Sequence, residues 1–598
     1  MCGIAGIISP NAQNYRAQLQ QMTDAIAHRG PDAEDHEFLE NAALGHRRLS
    51  IIDLSETGKQ PMFSPSKNEC IVLNGEIYGY QNLKKKYSDY AYRGTSDTEV
   101  ILAMYQANAE NLLQELPGMF AFAIWDEEKQ ELFCARDRFG EKPFYYALGN
   151  NGEFIFASEI KAILASGIIK PTINYEALYH FLQYGYVSAF QSIYENVFTL
   201  PPAHFLRFKE GKIQQERYYS IPKNDLQIGL SDAKEQFSFL LKNAVEKQSV
   251  ADVEVGSFLS GGLDSSTIVA MVNEFKSKQT TISFGYSGEN SELKFAEEIA
   301  RKYKTNHIEI HENRGDIAAD LLKISPFFDE PFSDMSYTPQ FKICQAAARH
   351  LKVVLGGDVG DELFGGYTFY TVEQEMRDHF SYNNLLWKFG LKQFGKVQET
   401  SFITKQNIAY KNILDFHQNR VRNYFTPKEM SGLGVKSKFH QKYSFKIGEN
   451  SINDLMRIDL EKYVPGNILV KSDRMAMANS LEVRTPFLDK DFVEFCIQLP
   501  ENLKLNASQD KIILRETMQN YWTESIRNRT KQGFGSSVET WFEEKNLLDL
   551  SDHLLKNKNS KVFQFIDFSA AQQFLKQDKK HWNLLQLALW AENHKQYL

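Results

Sequence analysis

The chain has 598 residues, more than one hydrophobic core organises at about 100–200 residues per domain, so two or more domains are expected. Hydrophobic residues at 42%, aromatics at 13% and charged residues at 24% exclude a disordered, collagenous or coiled-coil chain. Lys and Arg total 68 against 76 Asp and Glu, a net charge of -8, which argues against bulk binding to the nucleic-acid phosphate backbone. No apolar run approaches the ~20 residues of a membrane span. Met1–Pro10 lacks the basic start and long apolar core of a signal peptide. The five cysteines (Cys2, Cys70, Cys134, Cys344, Cys496) form no C-x-x-C pair. Neither a zinc site nor a disulfide framework is therefore expected, and a cytoplasmic, reducing setting is.

In chain order, the first ~200 residues read as short strands parted by turns. The expected strands are Gly3–Ile8, Ala42–Arg47, Glu69–Leu73, Phe120–Asp126, Glu131–Arg136 and Phe154–Ala157. This pattern predicts a layered α+β domain built on antiparallel sheets. The stretch from Lys209 to Leu230 reads as a crossover and linker. After residue 231 strands alternate with helices. A helix (Ser231–Glu246), a strand (Val253–Leu259), a glycine loop, a helix (Ser265–Phe275) and a strand (Thr280–Tyr286) come first. A helix (Glu292–Tyr303) and strands at Asn306–Ile310 and Lys352–Leu355 continue it. The alternation predicts an α/β doubly wound parallel sheet. Beyond Tyr367 the chain reads as largely helical, and residues 369–438 carry no motif.

Cys2 directly follows Met1, and its small side chain favours removal of Met1. Cys2 would then carry a thiol beside a free α-amine of pKa ~7.7–8, partly neutral in the cell and able to act as a base. That pairing is an N-terminal nucleophile; a buried structural cysteine is the alternative. Arg48, Asn74-Gly75-Glu76 and Ser96-Asp97 supply what amide hydrolysis needs. A guanidinium can grip a carboxylate in two places, a carboxylate can hold an ammonium, and an amide with a backbone N–H can stabilise an oxyanion. Each also reads as a surface arginine, a turn or a helix cap.

Met1-Cys2-Gly3-Ile4-Ala5-Gly6, His28-Arg29-Gly30-Pro31-Asp32, Arg48-Leu49-Ser50-Ile51, Asn74-Gly75-Glu76-Ile77-Tyr78, Ser96-Asp97, Arg136-Asp137-Arg138-Phe139-Gly140 and Ala157-Ser158-Glu159-Ile160-Lys161 occur in this order. The set resembles the class II glutamine amidotransferases, which usually have Asn where this chain has Gly79. The resemblance implies that Cys2 attacks the side-chain amide of L-glutamine. Asn74 and the Gly75 N–H would form the oxyanion hole, with Arg48, Glu76 and Asp97 around the amino-acid end.

Ser260-Gly261-Gly262-Leu263-Asp264-Ser265-Ser266 lies between an apolar strand and a helix. Glycines let a backbone approach phosphate, the helix N-terminus offers N–H groups, and Ser260, Ser265 and Ser266 add hydroxyls. Asp264 fits such a loop only if Mg²⁺ bridges it to phosphate. A Gly/Ser turn capping a helix is the plainer reading. Neither G-x-x-x-x-G-K-[ST] nor G-x-G-x-x-G describes the segment. Gly356-Gly357-Asp358-Val359-Gly360-Asp361-Glu362 again follows a strand, and its acidic residues suit a metal and a base. Lys511 is a candidate cation for charge developing on phosphate. Lys471-Ser472-Asp473-Arg474 and Glu482-Val483-Arg484 also read as an ion-paired helix packed under the sheet.

The loop resembles those of enzymes that cleave ATP between the α and β phosphates. The second half is similar to the synthetase domain of glutamine-hydrolysing asparagine synthetases. The two resemblances together imply a glutaminase at 1–210 and an ATP-dependent synthetase at 231–598, acting on L-glutamine, L-aspartate and ATP. Aspartate would become a β-aspartyl adenylate, attacked by ammonia arriving through a sheltered passage. Leu259, Phe284, Gly356 and Gly357 would border the nucleotide, with Ser260, Gly261, Gly262, Ser265 and Ser266 at the pyrophosphate. Asp264 and Asp361 would hold Mg²⁺, Lys511 would steady the phosphates, and Asp358 would take a proton from the attacking ammonia. A homodimer is implied as well. The family usually has Ser at 356 and Gly at 359. A β-branched Val359 resists φ > 0, so a differently shaped loop is expected, which leaves amidation of another carboxylate, a sugar uronate or a secondary metabolite, as the alternative.

Overall fold

The computed structural model describes residues 1–286, 292–312, 315–382, 413–418, 424–436, 451–529 and 541–598. Most of the motif-free region 369–438 therefore lies outside the described residues.

The first half is built from β1 (Gly3–Ile8), β2 (Ala33–Phe38), β3 (Ala42–Arg48), β4 (Met62–Phe63), β5 (Glu69–Glu76), β6 (Met119–Asp126), β7 (Glu131–Arg136), β8 (Tyr145–Leu148), β9 (Phe154–Ala157), β10 (Val197–Thr199), β11 (His204–Lys209) and β12 (Lys212–Arg217). They form two antiparallel sheets, ordered β10-β8-β9-β1-β3-β2 and β12-β11-β7-β6-β5-β4. Alternating apolar residues pack the inner faces together: Ile4, Ile8 and Leu44 meet Val72, Trp125 and Leu206. The outer faces take helices. Helix α1 (Arg16–Ala25) lies on the first sheet and α2 (Thr98–Asn108) on the second. This is the expected α+β architecture.

Residues Lys212–Arg217 are a strand, β12, not a crossover. The pair β11–β12 runs in register from His204↔Arg217 to Lys209↔Lys212. Sequence alternation missed it because β12 is an exposed sheet edge with only Ile213 partly buried.

The second half holds a parallel sheet ordered β15-β14-β13-β16-β17, with β13 (Val255–Phe258), β14 (Thr280–Tyr286), β15 (Asn306–Glu312), β16 (Val353–Leu355) and β17 (Glu482–Arg484). The chain runs outward from β13 to β15, then returns to the other side of β13. The crevice between the carboxyl ends of β13 and β16 is thus the switch point where open α/β sheets bind ligands. Helices α3 (Leu263–Asn273) and α4 (Gly360–Phe364) start there. Helices α5 (Leu469–Met477) and α6 (Ile512–Met518) close over it. Among the described residues no helix is long and apolar enough to cross a membrane.

The halves meet through buried charge. Arg29, fully buried, donates to both oxygens of Asp473 at 2.8 and 2.9 Å and to Glu159 at 2.8 Å. Arg474 reaches Glu159 at 2.7 Å and Asp329 at 3.1 Å, and Lys161 adds a further cation to the same two carboxylates. These partners hold the Asp473 carboxyl below the ordinary aspartate range, chiefly against the burial that would raise it. Breaking a buried pair leaves an uncompensated charge at a cost of about 3–5 kcal/mol. We therefore expect Asp473→Ala to lower the urea midpoint by an amount equivalent to about 3 kcal/mol or more. Adding Arg29→Ala to it should cost much less than a second such loss, which a double-mutant cycle of unfolding measures.

Candidate functional site

Each half carries one constellation of chemistry-bearing side chains. In the first, Cys2 sits at the start of β1 and is buried. Its backbone N–H donates to Asn74 Oδ1 at 3.1 Å, and Arg29 Nε donates to the Cys2 carbonyl at 3.0 Å. Its Sγ lies 4.0 Å from the Leu49 carbonyl. Burial pushes the thiol up, opposed by the nearby N-terminal ammonium. With its Oδ1 engaged, the fully buried Asn74 keeps an Nδ2 with no hydrogen-bond partner among the described residues. An orphaned buried donor beside a thiol is the property an oxyanion hole requires. Gly75 follows, and a Cβ there would come within 2.2 Å of the Met119 carbonyl, so only glycine lets β5 and β6 pair this closely.

Asp97 Oδ2 accepts from the Ile77 N–H at 2.9 Å, and burial raises its carboxyl. Burial raises Glu76 more strongly, with Asp97 adding repulsion and Arg484, 3.2 Å away, opposing both. Arg48 is buried and spends N–H groups on the carbonyls of Ser55 (3.1 Å), Ile52 (3.3 Å) and Asp53. Its guanidinium therefore anchors the 52–55 loop in addition to anything it grips. Gly79 adopts φ 67°, a conformation Asn also tolerates, so the exchange of these two residues there has a backbone reason.

The N-terminal ammonium of Met1 reaches across the junction to Glu482 on β17 at 2.5 Å. The Met1 side chain packs with Tyr78, Met119 and Met477. Arg484 donates to Glu482 at 2.7 Å, and these two cations oppose burial and hold Glu482 down to about 2. Glu482 and Arg484 stand in a motif read from sequence only as structural. Their contact with the chain start and with Glu76 had no signal in residue spacing.

The second constellation is a cavity of about 530 Å³ at the switch point. Leu259, Ser260, Gly262, Asp264, Ser265, Phe284, Gly356, Gly357, Asp358, Asp361 and Lys511 all line it. Ser260 and Ser265 brace the loop: Ser265 Oγ accepts from the Ser260 N–H at 3.2 Å, and Ser260 Oγ accepts from the Gly262 N–H at 3.3 Å. Two expected members stand back from the wall. Ser266 is fully buried on the inner side of α3. Gly261, at φ 66°, is pressed against Phe295, where a Cβ would come within 2.5 Å.

Val359 does hold φ 71°, contrary to the expectation of a reshaped loop. Left-handed backbone costs a non-glycine residue about 1–2 kcal/mol. The valine side chain is buried in the core beneath α4, and that burial offsets the strain. Close packing fixes the loop as well. A Cβ on Gly360 would meet Asp264 at 2.6 Å, and one on Gly366 would meet Asp361 at 2.1 Å.

Lys511 Nζ lies 2.5 Å from Asp264 Oδ2 and 2.6 Å from Asp361 Oδ1. Both carboxylates push its ammonium pKa up despite burial. Among the described residues no three His, Cys, Asp or Glu side chains group to hold a metal. Two carboxylates are nonetheless what Mg²⁺ needs from a protein when phosphates and water fill the remaining positions, so the donor set fits that ion. Sequence reasoning missed other lining residues, among them Asp334, Ser336, Tyr463, Lys471 and Arg529. They come from distant segments, and only Lys471 stood in a motif.

A thiol beside an unpartnered buried amide nitrogen in one half, and a glycine-lined, acid- and lysine-bearing cavity in the other, suit a two-site amidotransferase. Comparison with known families agrees. Residues 1–219 match the glutamine amidotransferase domain family and residues 236–592 match the asparagine synthase family. Glutamine-hydrolysing asparagine synthetase 1 of Bacillus subtilis (strain 168) is 30% identical over 613 residues, covering 99% of this chain and 96% of that protein. Synthetase 3 of the same organism is 29% identical over 558 residues, covering 89% and 87%. Amidase chry2 of Gibberella zeae is 28% identical over 647 residues, covering 96% and 94%. The chain belongs to the glutamine-hydrolysing asparagine synthetase family, and it is a carbon–nitrogen ligase that takes nitrogen from glutamine.

Lys511 now stands where a cation between Asp264 and Asp361 would stand. In Lys511→Met the two carboxylates face each other without it. Millimolar Mg²⁺ without nucleotide is expected to raise the melting temperature of this variant by several degrees. The wild type should move little, because only ions bound by the native state stabilise it. Thermal unfolding with and without EDTA makes the comparison.

Proposed function

We propose that this chain makes L-asparagine from L-aspartate, ATP and L-glutamine, with residues 1–210 as the glutaminase and 231–598 as the synthetase. The supporting observation is that one cavity gathers the Ser260–Ser265 loop, Asp264, Asp358, Asp361 and Lys511 at the switch point of a parallel sheet. The orphaned Asn74 amide stands beside Cys2 on the other side of the junction.

After removal of Met1, the Cys2 α-amine takes the thiol proton and Sγ attacks the glutamine side-chain amide. Asn74 Nδ2 and the Gly75 N–H receive the oxyanion, while Arg48, Glu76 and Asp97 hold the amino-acid end. Ammonia leaves, and water releases glutamate from the sulfur. Passage inside the protein keeps ammonia unprotonated; in neutral water most of it is ammonium, which cannot attack. In the cavity the aspartate side-chain carboxylate attacks the α-phosphorus of ATP, giving β-aspartyl-AMP and pyrophosphate. Leu259, Phe284, Gly356 and Gly357 border the nucleotide, and Ser260, Gly262 and Ser265 face the phosphates. Lys511 supplies positive charge to them. Asp264 and Asp361 would hold Mg²⁺, which when bound would supply positive charge to the phosphates. Asp358 accepts a proton as ammonia attacks the adenylate and AMP departs. We place this chemistry in the cytoplasm, and a homodimer is the assembly the family implies.

A second reading keeps the mechanism and changes the acceptor to another carboxylate. Gly356, which departs from the family's usual Ser, and the similarity to amidase chry2 favour it. Incubation with ATP, Mg²⁺, glutamine and a panel of carboxylates, with the amide identified by mass, separates the two. An amide from aspartate supports the first reading, and its absence favours the second.

Cys2→Ala is expected to lose glutamine-dependent asparagine formation and retain synthesis from added ammonium; joint loss of both would overturn the two-site mechanism. Asp264→Ala is expected to abolish aspartate-dependent exchange of pyrophosphate into ATP. Retained exchange would remove Asp264 from the metal and phosphate site.

A further inference from the structure

The cavity has a second charged end that the phosphate chemistry leaves unused. Lys471 enters it from α5, and Asp334, Met335 and Ser336 from the turn before the helix Tyr337–Ala347. Lys471 Nζ lies 3.0 Å from Asp334 Oδ2 and donates to Ser336 Oγ at 2.6 Å. Asp334 Oδ1 accepts from the Ser336 N–H at 2.9 Å and from its hydroxyl at 2.6 Å. The carboxylate is thus aimed by its own turn, and its opposite oxygen meets the lysine.

Asp358 connects this end to the phosphate end. Its Oδ2 accepts from Ser472 Oγ at 3.4 Å. The preceding Gly357 packs so tightly on α3 that a Cβ there would meet the Ser265 nitrogen at 2.9 Å. The order along the wall is therefore Lys471 and Asp334, then Asp358, then the glycine loop with Asp264 and Lys511.

An ion pair in a cavity wall, with opposite charges side by side, complements a ligand that carries both charges. An α-amino acid does so: its ammonium suits Asp334 and its carboxylate suits Lys471. When it binds, each partner exchanges the other for a ligand group, so neither charge is left unpaired. A sugar uronate carries no cation and would place its oxygens against Asp334.

We propose that Asp334 and Lys471 bind the α-ammonium and α-carboxylate of an amino-acid acceptor, with Ser336 positioning Asp334, so that the acceptor's side-chain carboxylate points past Asp358 toward the phosphates. This assignment rests on the synthetase reading above and narrows its acceptor to zwitterions.

Acceptor-dependent exchange of pyrophosphate into ATP tests it in the full chain, with L-aspartate, β-alanine (no α-carboxylate) and succinate (no ammonium). Lys471→Met and Asp334→Asn should each raise the KM for aspartate by about 30-fold or more, the size of a lost charge-assisted contact. Lys471→Met should erode the preference for aspartate over β-alanine, and Asp334→Asn the preference over succinate. Lys471→Arg should restore part of the first loss. The KM for ATP and the rate of glutamine hydrolysis should stay within about two-fold of wild type, which separates lost recognition from lost folding. The assignment is overturned if aspartate KM shifts by less than about three-fold in both variants, or if the truncated acceptors suffer equally. Wild-type exchange with a uronate but not with aspartate would also overturn it while leaving adenylation intact. No exchange with any carboxylate would overturn the synthetase reading itself.

Discussion

Charge buried between the two halves fixes everything else in place. Arg29 alone holds the Cys2 carbonyl with one nitrogen and Asp473 with two others. Cys2 and helix α5 are therefore registered by a single guanidinium, whose planar fork suits such bidentate duty. Asp473 and Arg474 turn toward the first half, while Lys471, two residues before Asp473 on the same helix, faces the cavity. Around these pairs Glu482, Arg484 and Glu76 form a second charged chain across the junction. Paired buried ions of this kind add little net stability and much geometric specificity.

The sequence made much of the fold legible because its buried strands are apolar and its switch-point loops are glycine-rich. Strands β1, β7, β9 and β14 fall where alternation and apolar runs place them. β8 and β11 were missed although most of their residues are buried and apolar, and other missed strands are polar or very short. β2 and β12 are sheet edges whose residues face water, and β17 is three residues, buried but charged at both ends. Hydrophobic periodicity cannot report an element whose burial is supplied by ion pairs.

The candidate site was legible where chemistry needs a residue next to its neighbours in sequence: Cys2, Asn74-Gly75, the Ser260–Ser265 loop and Asp358–Asp361. It was not legible where partners come from afar. Nothing local indicates that Glu482 meets the chain start, that Asp334 meets Lys471, or that Lys511 stands between two aspartates. Ser266 looked equivalent to Ser265 but points inward, because successive residues on a helix face 100° apart. Val359 shows the limit of a local rule: intrinsic preference excludes φ > 0 for a β-branched residue, and burial of its side chain overrides it.

The hydrophobic interior carries one more consequence. A single cluster of buried side chains runs from Leu49 and Phe122 in the first half, through Val245 and Ile268, to Phe487 and Trp522 in the second. Its continuity means that the boundary between the two chemistries is not a boundary of cooperativity. A cut in the connection between β12 and the helix Leu230–Gln248 would bare matching apolar faces on both fragments. The two halves thus share one hydrophobic interior, whatever the separation of their chemistries.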